Sequence, residues 1–253
     1  MPDVVLSIMA HPDDAEILCA GVLIRLVRQH GWEAHLASMT PGDCGSAEVG
    51  PLEIGRIRRG EGATAAACIN GIYHCLEEND LLVTYQHRTL SSVTRLLREV
   101  RPRIVITHSP ADYMLDHEMT SAIARAAVFA APIPNFLCRE EIGPPLEKMP
   151  HLYYADPIEG KDPLGRDVPP AFCIDISQVI DDKAAMLACH ASQRDWLLKH
   201  HGIDHYLEAM RHWSAERGKR GNVAYAEGFR QHLGHSYPQD NLLGQLLGTV
   251  GPP

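Results

Sequence analysis

Two short stretches of the chain concentrate the residue types that hold metals and move protons. The first is Ala10-His11-Pro12-Asp13-Asp14-Ala15-Glu16, and the second runs from His108 through Asp112, Tyr113 and Met114 to Asp116, His117 and Glu118. Imidazole nitrogens and a carboxylate oxygen suit a borderline cation such as Zn2+, with one position left to water in a catalytic site. His11, Asp14 and His117 could supply three such ligands. Asp13, beside Asp14 but free of the metal, would be a carboxylate able to take a proton from water. Asp116, next to His117, is placed to hold an imidazole by its other nitrogen. A plainer reading competes at the first stretch, where Asp13 or Asp14 is simply the N-cap of a helix. The nearby histidine tips the balance toward chemistry.

Both stretches follow apolar runs that read as strands. Val4 to Met9 is followed by a helix over Asp14 to His30, whose apolar residues recur at helical spacing and which Gly31 ends. Glu33 to Met39 reads as a second strand, leaving into the turn-rich loop Thr40 to Ser46. The position of that loop, on the same edge as His11, favours glycines that let backbone approach a ligand. A helix over Ile54 to Ile69, a short strand over Ile72 to Leu76 and a helix over Ser91 to Val100 come next. Arg103 to Thr107 is apolar throughout, the mark of a parallel strand covered on both faces, and a helix over Glu118 to Ala130 follows it. Alternation of this kind predicts an α/β fold, a Rossmann-like, mostly parallel sheet flanked by helices. In such sheets ligands bind at the carboxyl ends of the strands. The C-terminal part reads as a smaller α/β portion of the same domain, with strands at Leu152 to Ala155 and Phe172 to Ile176. Helices are expected over Gln178 to His201, Ile203 to Arg217 and Val223 to Leu233.

Composition narrows the function. The chain of 253 residues has a formal net charge of −9, which leaves no basic field for nucleic acid or an anionic membrane surface. No apolar run approaches the roughly 20 residues that span a bilayer, and the first residues lack a secretory pattern. The seven cysteines include no C-x-x-C pair. Cys19, Cys68, Cys75, Cys173 and Cys189 stand among apolar residues, as free thiols packed in a reduced, cytoplasmic protein do.

The motif Ala10-His11-Pro12-Asp13-Asp14 resembles the A-H-P-D-D signature of the LmbE-like, or PIG-L, family of zinc-dependent de-N-acetylases, and Asp116-His117 resembles its D-H element. Arg58 and Glu61 match an R-x-x-E at the start of the second helix. Lys183 with His190-Ala191-Ser192-Gln193 is similar to a K…H-x-S-Q helix, and Glu227 to Arg230 to a closing E-x-F-R segment. The resemblance spans most of the chain, residues 1–253 as one domain. It implies one Zn2+ on His11, Asp14 and His117, with Asp13 as general base that later protonates the leaving amine. The implied substrate is a small N-acetylated molecule of the N-acetylglucosamine type. Family members often assemble, so a homo-oligomer is open, with the apolar, proline-rich 131–146 region as a contact.

One position departs from the pattern. The family's deacetylases carry a histidine three residues before the last ligand, assigned to the oxyanion, and this chain has Met114 there. A thioether donates no hydrogen bond, and one lost oxyanion donor costs about 2.7–4 kcal/mol of barrier. His108, Tyr113, Arg58 and His190 are the candidates to replace it, with Asp112 a further neighbour of the site. Met114 also keeps open a metal-dependent hydratase or lyase on the same fold. A metal-binding homologue without catalysis is the third reading, which Asp13 argues against. His190 reads first as a structural partner, and Arg58 equally as a substrate clamp or a helix-surface residue. His74, His87, His151, His212, His232 and His235 read as surface residues. Trp196, Trp213 and Phe229 read as core or interface, and His200-His201 as a helix end.

Overall fold

The strand that precedes the first stretch, β1 (Val4–Met9), is an interior strand of a seven-stranded sheet in the computed structural model, which describes residues 2–136, 143–194 and 205–251. β1 pairs in parallel with β2 (Glu33–Ser38) on one side and with β4 (Ile104–Thr107) on the other. β3 (Ile72–Cys75) extends the sheet beyond β2, and β5 (His151–Ala155) extends it beyond β4, both in parallel. The order β3-β2-β1-β4-β5-β7-β6 reverses direction between β1 and β4. That reversal opens a crevice at the carboxyl ends of those two strands, where both chemical stretches begin.

Side chains alternate between the two faces of these strands. Val5, Ile104 and Ile106 join one apolar core with α2 (Ala20–His30), α6 (Ile180–Ala188) and α7 (His205–Gly221). Leu6, Ile8 and Val105 join the other, with α4 (His87–Val100) and α5 (Leu115–Ala130). The remaining helices are α1 (Asp14–Leu18), α3 (Pro51–Ala67) and the short α8 (Leu242–Leu247). Among the described residues no helix is long and apolar enough to cross a membrane.

The structure departs from the sequence reading in three elements. The helix expected over Asp14 to His30 is broken at Cys19, with φ −146°, into α1 and α2. The stretch expected to be one helix over Gln178 to His201 opens with a 3-10 turn at Ser177–Val179. It runs as α6 to Ala188 and breaks at His190, while residues 195–204, with Trp196 and His200-His201, lie outside the described residues. The short helix expected over Val223 to Leu233 is instead strand β7 (Ala226–Gln231), antiparallel to both β5 and β6 (Phe172–Asp175).

A single buried interaction accounts for the break after α1 and for the strand at β7. Glu227 on β7 accepts hydrogen bonds from the backbone N–H groups of Gly21 and Val22, each at 2.8 Å. It thus serves as a long-range cap for the first turn of α2. Lys183 on α6 neutralises it at 2.7 Å, with both side chains almost fully buried. In β7, Phe229 shares the face of Glu227 and is fully buried in the core. Gly228 faces the other way, where a Cβ would lie 2.2 Å from Asp156 Oδ2.

Candidate active site

The turn after β1 places its functional groups by strain as well as by hydrogen bonds. Asp13 has φ 101°, a backbone conformation that costs a non-glycine residue and concentrates at functional sites. It stands at the N-cap of α1 without making a side-chain cap bond, so the capping reading fails for it. Asp14 folds back, its Oδ2 accepting the N–H of His11 at 2.8 Å.

His11, Asp14 and His117 each turn a ligand atom to one point, all within 4.8 Å of one another. The remaining ring nitrogens show how each imidazole is aimed. His117 Nδ1 meets Asp112 Oδ1 at 3.0 Å, leaving Nε2 toward Asp14 Oδ1 at 3.6 Å. His11 Nε2 meets Asp116 Oδ2 at 3.4 Å, leaving Nδ1 toward Asp14 Oδ2 at 3.3 Å. Each histidine is therefore oriented by a carboxylate on its far nitrogen, as in metal sites generally. Asp116 does hold an imidazole, but that of His11, and it also accepts the backbone N–H of Leu81 at 2.6 Å. Asp112, placed by the loop before α5, is the partner of His117. This donor set fits a borderline divalent cation.

The charges around Asp14 agree with that geometry. Burial works against its ionisation, but His117, His108 and His11 outweigh it and hold the carboxyl well below its usual range. For His11, burial is outweighed by Asp116 and Asp14, which raise its pKa to about 10. His11 and His117, whose pKa values are raised despite burial, face this buried carboxylate and make a site that holds protons when it holds no cation, while burial lowers that of His108.

Asp13 lies beside this cluster rather than in it. Its Oδ2 accepts the hydroxyl of Tyr206, on α7, at 2.6 Å, and its Oδ1 lies 3.3 Å from Arg58 Nη2. Burial raises its pKa, and Arg58 opposes that rise. Arg58, on α3, is itself committed: it donates to the carbonyls of Pro12 at 2.6 Å and Gly42 at 3.4 Å. The glycines of the Thr40–Ser46 loop make room for this guanidinium. A Cβ at Gly42, with φ 75°, or at Gly45 would lie 2.4 or 2.6 Å from Arg58 Nη1. Asp43 and Asp80 tie that loop to the turn after β3, through Asp80 N to Asp43 Oδ1 and Cys44 N to Asp80 Oδ2.

These residues open on one cavity of about 400 Å³, whose wall includes His11, Asp13, Asp14, Arg58, Tyr113, Met114 and His117. Of the four residues considered as replacements for a donor at Met114, two are not on this wall. His108 is fully buried and stacked on His117 at 3.9 Å, its Nε2 accepting the N–H of Ala10 at 2.9 Å. His190 lies behind Asp13 in a separate small void, 3.5 Å from Glu16 Oε1, with neither ring nitrogen hydrogen-bonded. Arg58 is on the wall but engaged. Tyr113 is on the wall and 61% exposed, and its phenol O–H can donate.

Two residues of the neighbourhood had no signal in the sequence. Tyr206 sits on a helix without a motif, and only the packing of α7 brings it to Asp13. His74, read as a surface residue, is half-buried, with its Nε2 at 2.8 Å from His35 Nδ1. His232 is likewise packed between Tyr154 and Tyr237. Of the aromatic residues read as core, Trp213 borders a small cavity below α1 and Phe229 is in the core.

Comparison with known proteins agrees with this architecture. A 4-oxalmesaconate hydratase of Pseudomonas putida is 25% identical over 243 residues, covering 89% of this chain and 87% of the relative. The crystal structure of GalB, the 4-carboxy-2-hydroxymuconate hydratase of the same species, superposes with a TM-score of 0.76 at 23% identity, covering 95% of this chain and 99% of that one. The N,N'-diacetylchitobiose deacetylase of Pyrococcus horikoshii superposes with a TM-score of 0.75 at 24% identity, covering 95% and 88%. Residues 6–128 match the family model described as PIG-L: GlcNAc-PI de-N-acetylase. Those residues, which carry both chemical stretches, thus form a PIG-L/LmbE-like family domain match, and the chain shares its fold with the deacetylase and hydratase structures.

Proposed function

We propose that the chain, read as one domain over residues 1–253, is a zinc-dependent hydrolase that removes an N-acyl, typically N-acetyl, group from a small uncharged molecule of the amino-sugar type. His11, Asp14 and His117 would hold the cation. Bound there, a divalent cation lowers the pKa of a water and polarises an acyl oxygen. Asp13 takes the proton from the attacking water and returns it to the leaving nitrogen, so no net proton is lost at the carboxylate. Tyr206 and Arg58 hold Asp13 beside the ligands during both transfers, and Tyr113 donates to the oxygen on which negative charge develops.

The observation that carries this reading is a buried acid that shares the cavity with the ligand cluster yet is tethered outside it. The electrostatics of the wall support an uncharged substrate. Its described acids are Asp13, Asp14 and Asp80, and its one guanidinium, Arg58, is engaged with backbone carbonyls and Asp13. Apart from the cation and the histidines proposed to hold it, the wall offers a substrate three acids and one guanidinium already engaged, which suits an uncharged group better than a polyanion.

A second reading, hydration of a carbon–carbon double bond, is favoured by Met114 and by the likeness to hydratases. Purified zinc-loaded protein is to be assayed for acetate release from N-acetylglucosamine conjugates and, in parallel, for loss of ultraviolet absorbance from unsaturated dicarboxylates. Acetate release that is absent from an Asp13→Asn variant supports the hydrolase. Turnover of the unsaturated acids alone replaces it with the hydratase.

A further inference from the structure

Two cysteines outside the site stand close enough to react. Cys68 caps the C-terminus of α3 and Cys189 that of α6, and their Sγ atoms are 3.8 Å apart. Cys68 is exposed and Cys189 is half-buried, whereas Cys19 and Cys173 are buried in the core. This corrects the sequence reading, in which Cys68 and Cys189 pack as small hydrophobes. Besides this mutual contact, each thiol can donate to a carbonyl one turn back, Thr64 at 3.5 Å and Ala185 at 3.4 Å. These weak bonds are easily given up. Both residues stand just past the last residue of their helices, where rotation about χ1 and a small backbone adjustment are least costly. Closing the gap to the roughly 2.05 Å of a disulfide takes a movement of about 2 Å shared between two side chains.

The junction they flank belongs to the architecture of the site. From N- to C-terminus, α3 presents Arg58 to Asp13, then Glu61 to Ser192, whose N–H and hydroxyl donate to it at 2.8 and 2.7 Å, and finally Cys68 to Cys189. The segment that begins at Cys189 carries His190 into the void behind Asp13. The two elements are thus joined by polar contacts along their length and end in a pair of unjoined thiols.

We propose that Cys68 and Cys189 are a thiol-oxidation site, closed to a reversible intramolecular disulfide by a peroxide and fastening α3 to the end of α6. The exposed Cys68 meets the oxidant. Its thiolate attacks one peroxide oxygen, the S–O bond forms, the O–O bond breaks and one water leaves after protonation. Cys189 then attacks the sulfenic sulfur, the S–S bond forms and a second water departs. Two thiols are oxidised by two electrons and one hydrogen peroxide is reduced to two waters. Burial and the neighbouring Cys68 push the Cys189 thiol up to about 11, consistent with its being the second to react. The inference stands apart from the metal chemistry and does not depend on it.

The test uses the full chain in a Cys44→Ser background, which removes the other exposed cysteine among the described residues. The protein is treated with hydrogen peroxide, and thiols are counted and peptides mapped by mass spectrometry. The expected result is loss of two thiols per chain, a Cys68–Cys189 linked peptide that dithiothreitol reverses, and no such peptide after Cys68→Ala or Cys189→Ala. Because the bridge closes a long loop, Tm of the oxidised form is expected to rise by about 5 °C or more. Over-oxidation of Cys68 without a cross-link, a cross-link to another cysteine or between chains, or a lowered Tm on closure would overturn the proposal.

Discussion

The hydroxyl of Tyr206 donates to Asp13 Oδ2 at 2.6 Å across 193 residues of sequence. That bond favours the carboxylate of Asp13, working with Arg58 against the burial that raises its pKa. Tyr206→Phe removes the donor, so Asp13 becomes harder to ionise and the acid limb of the rate profile moves to higher pH. A hydrogen bond to a charged group is worth about 1.5–3 kcal/mol, which sets a shift of about one to two pH units. Rate–pH profiles of the zinc-loaded variant should show this displacement, with kcat at neutral pH lowered about tenfold and KM little changed. An unmoved acid limb would show that Tyr206 only packs.

Tyr113 and Met114 stand side by side on the cavity wall, and only the first can donate. For amide hydrolysis, Tyr113→Phe should lower kcat about 10²–10³-fold, the usual cost of one oxyanion donor. Met114→His in the Tyr113→Phe background should recover part of that loss. Steady-state kinetics on an N-acetyl substrate read both outcomes, and no effect of either change removes Tyr113 from the mechanism.

Metal binding must compete with protons. In the metal-free site His11 has its pKa raised to about 10, so at neutral pH it carries a proton that a cation must displace. Affinity for Zn2+ should therefore fall as pH falls, and titration calorimetry in buffers of different ionisation enthalpy should register proton release. Asp112→Asn and Asp116→Asn should each weaken binding about 10–100-fold by loosening His117 and His11. Equal affinity in both variants and in the parent would sink the assignment of these acids.

The Lys183–Glu227 pair makes a prediction about stability. Lys183→Met leaves Glu227 buried with only its two backbone donors, a loss of about 3–5 kcal/mol. Thermal unfolding should show Tm lower by on the order of 10 °C. The double change Lys183→Met/Glu227→Gln should cost less than the sum of the two singles, because no buried charge remains.

His74, packed on His35, should give stability its own pH dependence. Their facing nitrogens share one hydrogen bond at 2.8 Å, so one must donate and the other accept, and both rings cannot be charged. Burial first, then His35, lowers the pKa of His74 to about 4, against about 6.5 in the unfolded chain. Between these values the unfolded chain binds more protons, so stability is full above about pH 6.5 and falls as pH drops toward 4. His74→Gln should flatten the slope of Tm against pH over that interval.

Much of the site was legible because its residues are close in sequence and governed by local rules. His11, Asp13 and Asp14 share one turn, and an apolar run before them with helical spacing after them is enough to place that turn at the end of a parallel strand. The same logic placed His117 after β4, and strand–helix alternation gave the parallel part of the sheet, β1 to β5. What no local pattern carries is a contact across the chain. Glu227 reads as a polar residue of a helix until its carboxylate is seen to cap α2, and that burial requires a strand. Tyr206 reads as an ordinary helical aromatic until α7 packs against the turn that bears Asp13. Asp116 is next to His117 in sequence and Asp112 five residues before it, yet the course of the chain before α5 gives His117 to the more distant acid and His11 to the nearer. The sequence alone thus pointed to the groups proposed to hold a metal and move a proton, because types and short spacings suffice for that. Only the tertiary structure decided which carboxylate orients which imidazole, what holds Asp13 outside the cluster, and that Tyr113 faces the cavity with a free hydroxyl, because those depend on packing between segments far apart in the chain.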